Sequence, residues 1–289
     1  MIALRPTTSV LSRLPSCLPS LRALLPAAVL LAAPGAAVLA QQAPDAPSSA
    51  SANANANATA SAASPHSFTA NLTLATEYRY RGLMQTNRRP AIQGGFDYSH
   101  ESGLYLGNWN SNISWLSDSN AQVSAPIEMD FYGGFRNRVD VAGAEINYDV
   151  GVLEYYYPGD YPTGFTRPYT TEIYAGVGYG PVFLKYSHAL TNLFGFADSR
   201  NSYYIDLSAN VPLNVWDLTF NAHVGYQGVA HFSEASYTDW KAGLTKDFGH
   251  GLTVSLAYLD TNAARGVYTN AHGRYMGKAT AFASVTRTF

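Results

Sequence analysis

SFTANLTLATEYRYRG, residues 67–82, sorts its side chains by parity along its whole length. Phe68, Ala70, Leu72, Leu74, Tyr78 and Tyr80 hold the even positions, and Thr69, Asn71, Thr73, Glu77, Arg79 and Arg81 the odd ones. Successive residues of a strand point to opposite faces, so the pattern predicts one amphipathic strand over residues 67–82. Strands of soluble domains run to about five or six residues, whereas a tilted membrane-crossing strand needs about nine to eleven. The predicted strand is long enough to cross a bilayer.

The alternation recurs to the end of the chain. Ile92, Phe96 and Tyr98 oppose Gln93, Asp97 and Ser99; Tyr105, Trp109, Ile113 and Trp115 oppose Asn108, Asn110 and Asn112. Ile127, Met129, Phe131 and Phe135 oppose Glu128, Asp130 and Arg136, and Ile146, Val150 and Val152 oppose Glu145 and Asp149. Similar runs carry Glu172, Lys185, Asp206, His223, Asp239 and Lys241 on their polar sides, and the last run spans residues 275–289. The count is about twelve strands, an even number, as in bacterial single-chain barrels. The predicted links alternate in length, short at 100–103, 180–181 and 249–251 and long at 116–125, 158–168 and 260–274. Transmembrane barrels alternate in this way between turns on one side and loops on the other.

Aromatic residues give two predicted girdles, as expected at the two membrane interfaces. Tyr80, Trp115, Tyr156, Tyr169, Tyr203, Tyr226, Tyr258 and Tyr275 gather at the long-loop end, and Phe68, Tyr98, Tyr105, Phe135, Tyr179, Phe248 and Phe289 at the other. A Lys or Arg facing lipid costs about 2–4 kcal/mol at mid-membrane. Turning every charged face outward would exceed the roughly 5–15 kcal/mol that holds a typical fold together. The charged faces therefore line the lumen. The fold class predicted is all-β, a closed antiparallel transmembrane barrel over residues 67–289.

Composition agrees. Charged residues make up 13 % of the chain, with 21 Tyr and 24 Gly, which suits a turn-rich sheet protein. A formal net charge of −2 and the lack of a basic patch argue against nucleic acid as a partner. Residues 1–40 read as a signal peptide: Arg5, Arg13 and Arg22 precede an Ala- and Leu-rich core, and Val38-Leu39-Ala40 offers a small-residue cleavage pattern. Cys17, the single cysteine, precedes that core and is expected to be discarded with it. Residues 41–66 are rich in Ala, Ser and Asn, too poor in large apolar residues to offset ordering entropy, and read as a disordered leader.

The residues expected to line the pore are Glu77, Arg79, Arg81, Asp97, Glu128, Asp130, Glu145, Asp149, Glu172, Lys185, Asp206, Asp239 and Lys241. Glu77, Arg79 and Arg81 read either as a charged constriction or as an ion-pair network satisfying buried charge. Acids outnumber bases on the polar faces, which predicts weak cation preference. Glu154, His188, Lys246 and Arg287 fall on the lipid side, all but His188 near a predicted strand end where the chain can bulge or the side chain snorkel. The Val177-Gly178-Tyr179-Gly180 tetrapeptide ends a strand, which is not the re-entrant context of a potassium filter. The seven histidines lack metal-ligand spacing, so neither a metal nor another cofactor is expected.

Several stretches carry a family resemblance: EYRYRG at 77–82, QGGFDYSHESGLYLGNWNSN at 93–112, YYYPG at 155–159, TEIYAGVGYG at 171–180 and DWKAG at 239–243. Together they resemble the TorF family of proteobacterial porins. The resemblance implies an outer-membrane pore for small solutes and no catalytic residues. The terminal Phe289 looks like the signal by which the barrel-assembly machinery recognises its clients. The expected function is passive, weakly selective diffusion of small hydrophilic solutes or ions across the bacterial outer membrane, with outer-membrane lipid around the barrel. The rivals are a phospholipase-like barrel, with His188 beside Ser187 or Ser202 as its nearest approach to a site, and a structural barrel with a plugged lumen.

Overall fold

The computed structural model describes residues 64–289. The expected signal segment, and the expected leader as far as residue 63, lie outside the described residues. Twelve antiparallel strands close into a barrel: β1 (His66–Ala75), β4 (Ala91–His100), β5 (Leu104–Asn112), β6 (Ile127–Val141), β7 (Ala144–Tyr156), β8 (Thr170–Tyr179), β9 (Val182–Ala189), β10 (Tyr203–Pro212), β11 (Leu218–Gly228), β12 (Tyr237–Asp247), β13 (Leu252–Thr261) and β14 (Thr280–Thr288). A small hairpin, β2 (Arg79–Tyr80) and β3 (Leu83–Met84), stands apart from the ring. Each barrel strand pairs with its chain neighbours, and β1 closes the ring by pairing with both β4 and β14. Closure leaves no unpaired sheet edge, which a strand protein in lipid requires.

The faces follow the period of two. On β10, Tyr204, Asp206, Ser208 and Asn210 are buried, while Ile205, Leu207 and Val211 are exposed. Phe68, Phe96, Phe131, Ile173, Leu184, Val224, Leu244 and Leu256 likewise stand on the outside. Links at one end are short: residues 101–103, 142–143, 180–181, 213–217 and 248–251; those at the other are longer. Tyr156, Tyr203, Tyr226 and Tyr258 face outward towards the loop end, and Phe68, Tyr179, Phe248 and Phe289 towards the turn end.

Two expectations are corrected. The strand predicted over 67–82 ends at Ala75, and the chain beyond it turns into the barrel. Arg81 and Gly82 form the tip of the β2–β3 hairpin with φ of 43° and 78°, the positive values a type I′ turn requires at both central residues. Parity runs on unbroken from strand to hairpin, so periodicity alone does not reveal the bend. Tyr78 and Tyr80, expected on lipid, are buried inside.

The second correction is β5, whose phase is inverted. Tyr105 and Trp109 point inward, and Asn108, Asn110 and Asn112 lie on the outer face. Cross-strand partners share a face, and Asp97 of β4 pairs with Gly107, so the odd positions of β5 are inside. No charge on β5 itself marks that phase. Trp115 belongs to a short helix, α1 (Trp115–Ser119), and Tyr275 to the loop before β14, so neither joins a girdle.

Candidate functional site

The chain from residue 76 to residue 90 leaves β1, crosses the lumen and returns to β4. Arg81 at its tip reaches the far side of the ring. Its Nη1 donates to Glu172 Oε1 of β8 at 3.0 Å and its Nη2 to Oε2 at 2.8 Å, the two-pronged geometry of a strong ion pair. Nη1 also donates to Gln227 Oε1 of β11 at 2.8 Å, and the guanidinium lies 4.2 Å from the ring centre of Tyr204 on β10. Both charged side chains are about 1 % exposed, so neither is held by bulk water.

Other contacts fix the rest of the hairpin. Tyr78 Oη donates to Glu128 Oε1 of β6 at 2.7 Å, and Tyr80 Oη to Tyr155 Oη of β7 at 2.7 Å. Arg79 forms an ion pair with Glu77 at 3.0 Å and donates to the carbonyl of Met276 at 3.0 Å. Gly82 sits so close to β12 that an added Cβ would lie 2.7 Å from that of Asp239. Phe194, from the loop after β9, packs edge-on against Tyr80 and Tyr155 at centroid distances of 5.3 and 5.0 Å. The hairpin and Phe194 therefore narrow the loop end of the lumen.

Towards the turn end the two walls differ. From β4 to β9 the lining is ionic and aromatic. Tyr132 Oη donates to Asp97 Oδ1 at 2.5 Å, Tyr105 Oη donates to Asp149 Oδ1 at 2.6 Å and also meets Tyr174 Oη, Arg136 stacks over Tyr105 at 3.7 Å, and Lys185 lies over Tyr174 at 4.4 Å. From β10 to β14 and β1, on the turn-end side of Asp206, His223, Asp239 and Lys241, the lining is short and polar: Asn221 donates to Asn210, Thr245 to Asn221, and Thr73 and Thr286 hydroxyls meet at 2.8 Å. Inward tyrosines lie against inward glycines of the preceding strand, Tyr132 against Gly107 and Tyr174 against Gly151. A side chain at either glycine would push its ring into the lumen.

Of the expected lining residues, Glu77, Arg79 and Arg81 come from the hairpin and not from the wall. Asp97, Glu128, Asp130, Glu172, Lys185, Asp206 and Asp239 are buried on inward faces, and Asp149 and Lys241 share those faces. Asp206 and Asp239 converge on His223, whose Nδ1 lies 2.8 Å from Asp206 and whose Nε2 lies 3.3 Å from Asp239. Glu145 stands apart, in a solvent-exposed pair with Arg138 at 3.3 Å on the extended β6–β7 hairpin. The reading of residues missed Tyr105, Tyr132, Tyr174 and Gln227. Parity carried a signal for three of them, since Tyr132 falls in phase with Asp130, Tyr174 with Glu172 and Gln227 with His223.

His188 faces outward at the end of β9, within reach of Tyr186 Oη at 3.1 Å and Asn201 Oδ1 at 3.3 Å. Ser187 points inward, and the hydroxyl of Ser202 donates to the Ser199 carbonyl. Among the described residues the partners of this imidazole are Tyr186 and Asn201, and neither is a serine. Lys246 pairs with Asp217 at 3.0 Å, Arg287 lies over the Phe289 ring, and Glu154 accepts from Thr171.

A family model described as a bacterial protein of unknown function (Gcw_chp) matches residues 59–289. No curated protein matches the sequence. Among solved structures, the chain is similar to the KdgM porin, at 7 % identity and a TM-score of 0.49 over 76 % of this chain and 99 % of that one. It is also similar to an outer membrane channel from Pseudomonas putida F1, at 13 % identity and a TM-score of 0.43 over 78 % and 97 %. Outer membrane phospholipase A from Escherichia coli matches at 10 % identity and a TM-score of 0.40 over 76 % and 91 %.

Proposed function

The chain belongs to the Gcw_chp family of bacterial proteins of unknown function, and from its closed barrel we propose that it is an outer-membrane porin passing small hydrophilic solutes or ions by passive, weakly selective diffusion. The observation that carries the reading is the division of the barrel wall, apolar side chains outside and ionised ones such as Glu172, Lys185, Asp206 and Asp239 inside. A lipid-facing belt around a polar interior is the arrangement of a transmembrane barrel. The hairpin of residues 76–90 is the constriction, and solutes pass between it and the wall. Lumen acids exceed lumen bases, which favours cations.

In this reading residues 1–40 direct export and are removed, residues 41–65 are a leader ahead of the barrel, and Phe289 is the assembly signal. The likeness of the 77–82, 93–112 and 171–180 stretches to TorF porins supports the same assignment. No covalent step is proposed, because His188 has a tyrosine and an asparagine as neighbours and not a nucleophilic serine. One observation favours a second reading, a structural barrel that does not conduct: the hairpin and Phe194 pack together across the loop end. Planar-bilayer recording of the purified, folded protein separates the two. Stepwise conductance supports the porin; silent insertion of a folded barrel supports the structural reading.

A further inference from the structure

Charge is unevenly spread over the long-loop end. Three connections, residues 85–90 before β4, 113–126 between β5 and β6 and 262–279 between β13 and β14, carry Arg88, Arg89, Arg265, Arg274 and Lys278 against a single acid, Asp118. The other three, residues 157–169, 190–202 and 229–236, set Arg167 and Arg200 against Asp160, Asp198 and Glu234. The basic residues come from distant parts of the chain, so they form no run in the sequence. They meet because β14, β1, β4 and β5 stand side by side in the ring.

Backbone bonds tie the three connections into one surface. The Ala271 N–H donates to the Asp118 carbonyl at 3.1 Å, and those of Ser114 and Trp115 to the Gln85 carbonyl at 2.8 and 3.0 Å. Arg274 Nη1 donates to the Asn87 carbonyl at 2.9 Å, which sets it beside the backbone of Arg88. Arg89 Nη2 and His272 Nε2 approach the same oxygen, Asp118 Oδ1, at 3.5 and 3.7 Å. These are loose pairs, and both basic side chains are 62 % exposed, able to turn towards an incoming anion. The acid itself is fixed, since Asp118 is buried and its Oδ2 accepts from Ser114 Oγ at 2.6 Å. One carboxylate does not balance the guanidiniums of Arg88, Arg89 and Arg274.

The turn that presents Arg88 breaks a local rule. Asn87 and Arg88 have φ of 53° and 61°, and the Arg89 N–H donates to the Thr86 carbonyl at 3.0 Å. A tight turn with both central residues in the left-handed region favours Asn-Gly, and here the glycine position holds an exposed arginine. Departures of this kind gather at functional positions, where the side chain is worth more than an easier backbone.

We propose that Arg88, Arg89, His272 and Arg274 form a binding site for a phosphate-bearing anion at the long-loop mouth, with Asp118 as its positioning residue. Guanidinium forks match phosphate oxygens two at a time, and several of them together suit an anion of more than one charge better than a lone carboxylate. A soluble phosphorylated solute and a phosphorylated lipid headgroup beside the rim offer the same chemistry. The inference rests on the reading of the chain as an outer-membrane barrel whose long loops face outward.

The experiment uses the full chain, folded and verified by heat-modifiable gel mobility, in two arms. In the first, inorganic pyrophosphate is titrated calorimetrically into the protein in phosphatidylcholine nanodiscs; in the second, detergent-folded protein is equilibrated with diphosphoryl lipid A and the retained lipid is read by native mass spectrometry. Saturable one-to-one binding is expected, in the first arm for a soluble anion and in the second alone for a headgroup. Arg274→Gln and Arg88→Gly are each expected to weaken it at least fivefold, and Arg200→Gln, across the mouth, to leave it unchanged. Arg88→Gly suits the turn, so its lower affinity in a barrel of undiminished stability separates binding from folding. Absence of saturable binding in both arms, Arg88 and Arg274 variants that bind as the wild type does, or an equal loss at Arg200 overturns the proposal. Binding is measured without reference to conductance, so a silent barrel that binds would count against the porin alone, and a conducting barrel that ignores both probes against the site alone.

Discussion

Arg81 is the residue on which the hairpin turns. Burying a guanidinium is costly, and Glu172, Gln227 and the Tyr204 ring compensate it from three strands that β1 does not touch. Arg81→Ala would leave Glu172 buried without its counter-ion, and removal of one partner of a buried pair costs about 3–5 kcal/mol. We expect a loss of that order in denaturant unfolding of the detergent-folded protein. The double variant Arg81→Ala/Glu172→Ala should lose less than the two single losses added together, because it leaves neither charge stranded. Gly107 offers a second test. A Cβ there would lie 2.4 Å from the Tyr132 ring, whose hydroxyl is held by Asp97, so Gly107→Ala should cost about 1–3 kcal/mol, as over-packing does. Gly143, where an added Cβ meets nothing, supplies a spatial control, although its positive φ adds a smaller strain of its own.

Among the elements, the hairpin and β5 are where local pattern and three-dimensional arrangement part company. Replacing residues 79–84 with a short Gly-Ser link should widen the passage. Single-channel recording is expected to give a several-fold larger conductance in a barrel that still shows heat-modifiable mobility, and an unchanged value would mean that the hairpin does not limit flow. On β10 the two faces predict opposite tolerances. Leu207→Arg puts a charge on lipid and should cost about 2–4 kcal/mol on unfolding from bilayers. Asn210→Arg, facing the lumen on the same strand, should cost much less. The strands with acids on them could be phased from their residues, because a charge cannot sit on lipid without penalty. β5 carries no charge, and its aromatic side chains are equally at home in lipid or stacked inside. Its phase follows from Asp97 across the ladder, a contact that exists only once register is set.

As a whole, the molecule has a wall whose turn-end half is ionic and tyrosine-rich from β4 to β9 and short-chain polar from β10 round to β1, while nearer the loop end β10 to β12 carry Asp206, His223, Asp239 and Lys241. The excess of acids predicts a reversal potential with the sign of cation flow in a salt gradient, and an anion-directed potential would contradict it. Sequence by itself determined the class of fold, the closed ring of twelve strands, the alternation of turns and loops, and an inward side for Asp130, Glu172, Lys185 and Asp206. Each of these follows from a period of two and from the expense of charge in hydrocarbon, both of which are local. Only the tertiary structure decided that residues 76–90 leave the wall and cross the lumen, and that β5 turns its asparagines outward. Those choices depend on partners far away in the chain, Glu172 and Gln227 for Arg81 and Asp97 for β5. Alternation in a single segment is the same whichever of its faces, or whichever side of the wall, those partners select.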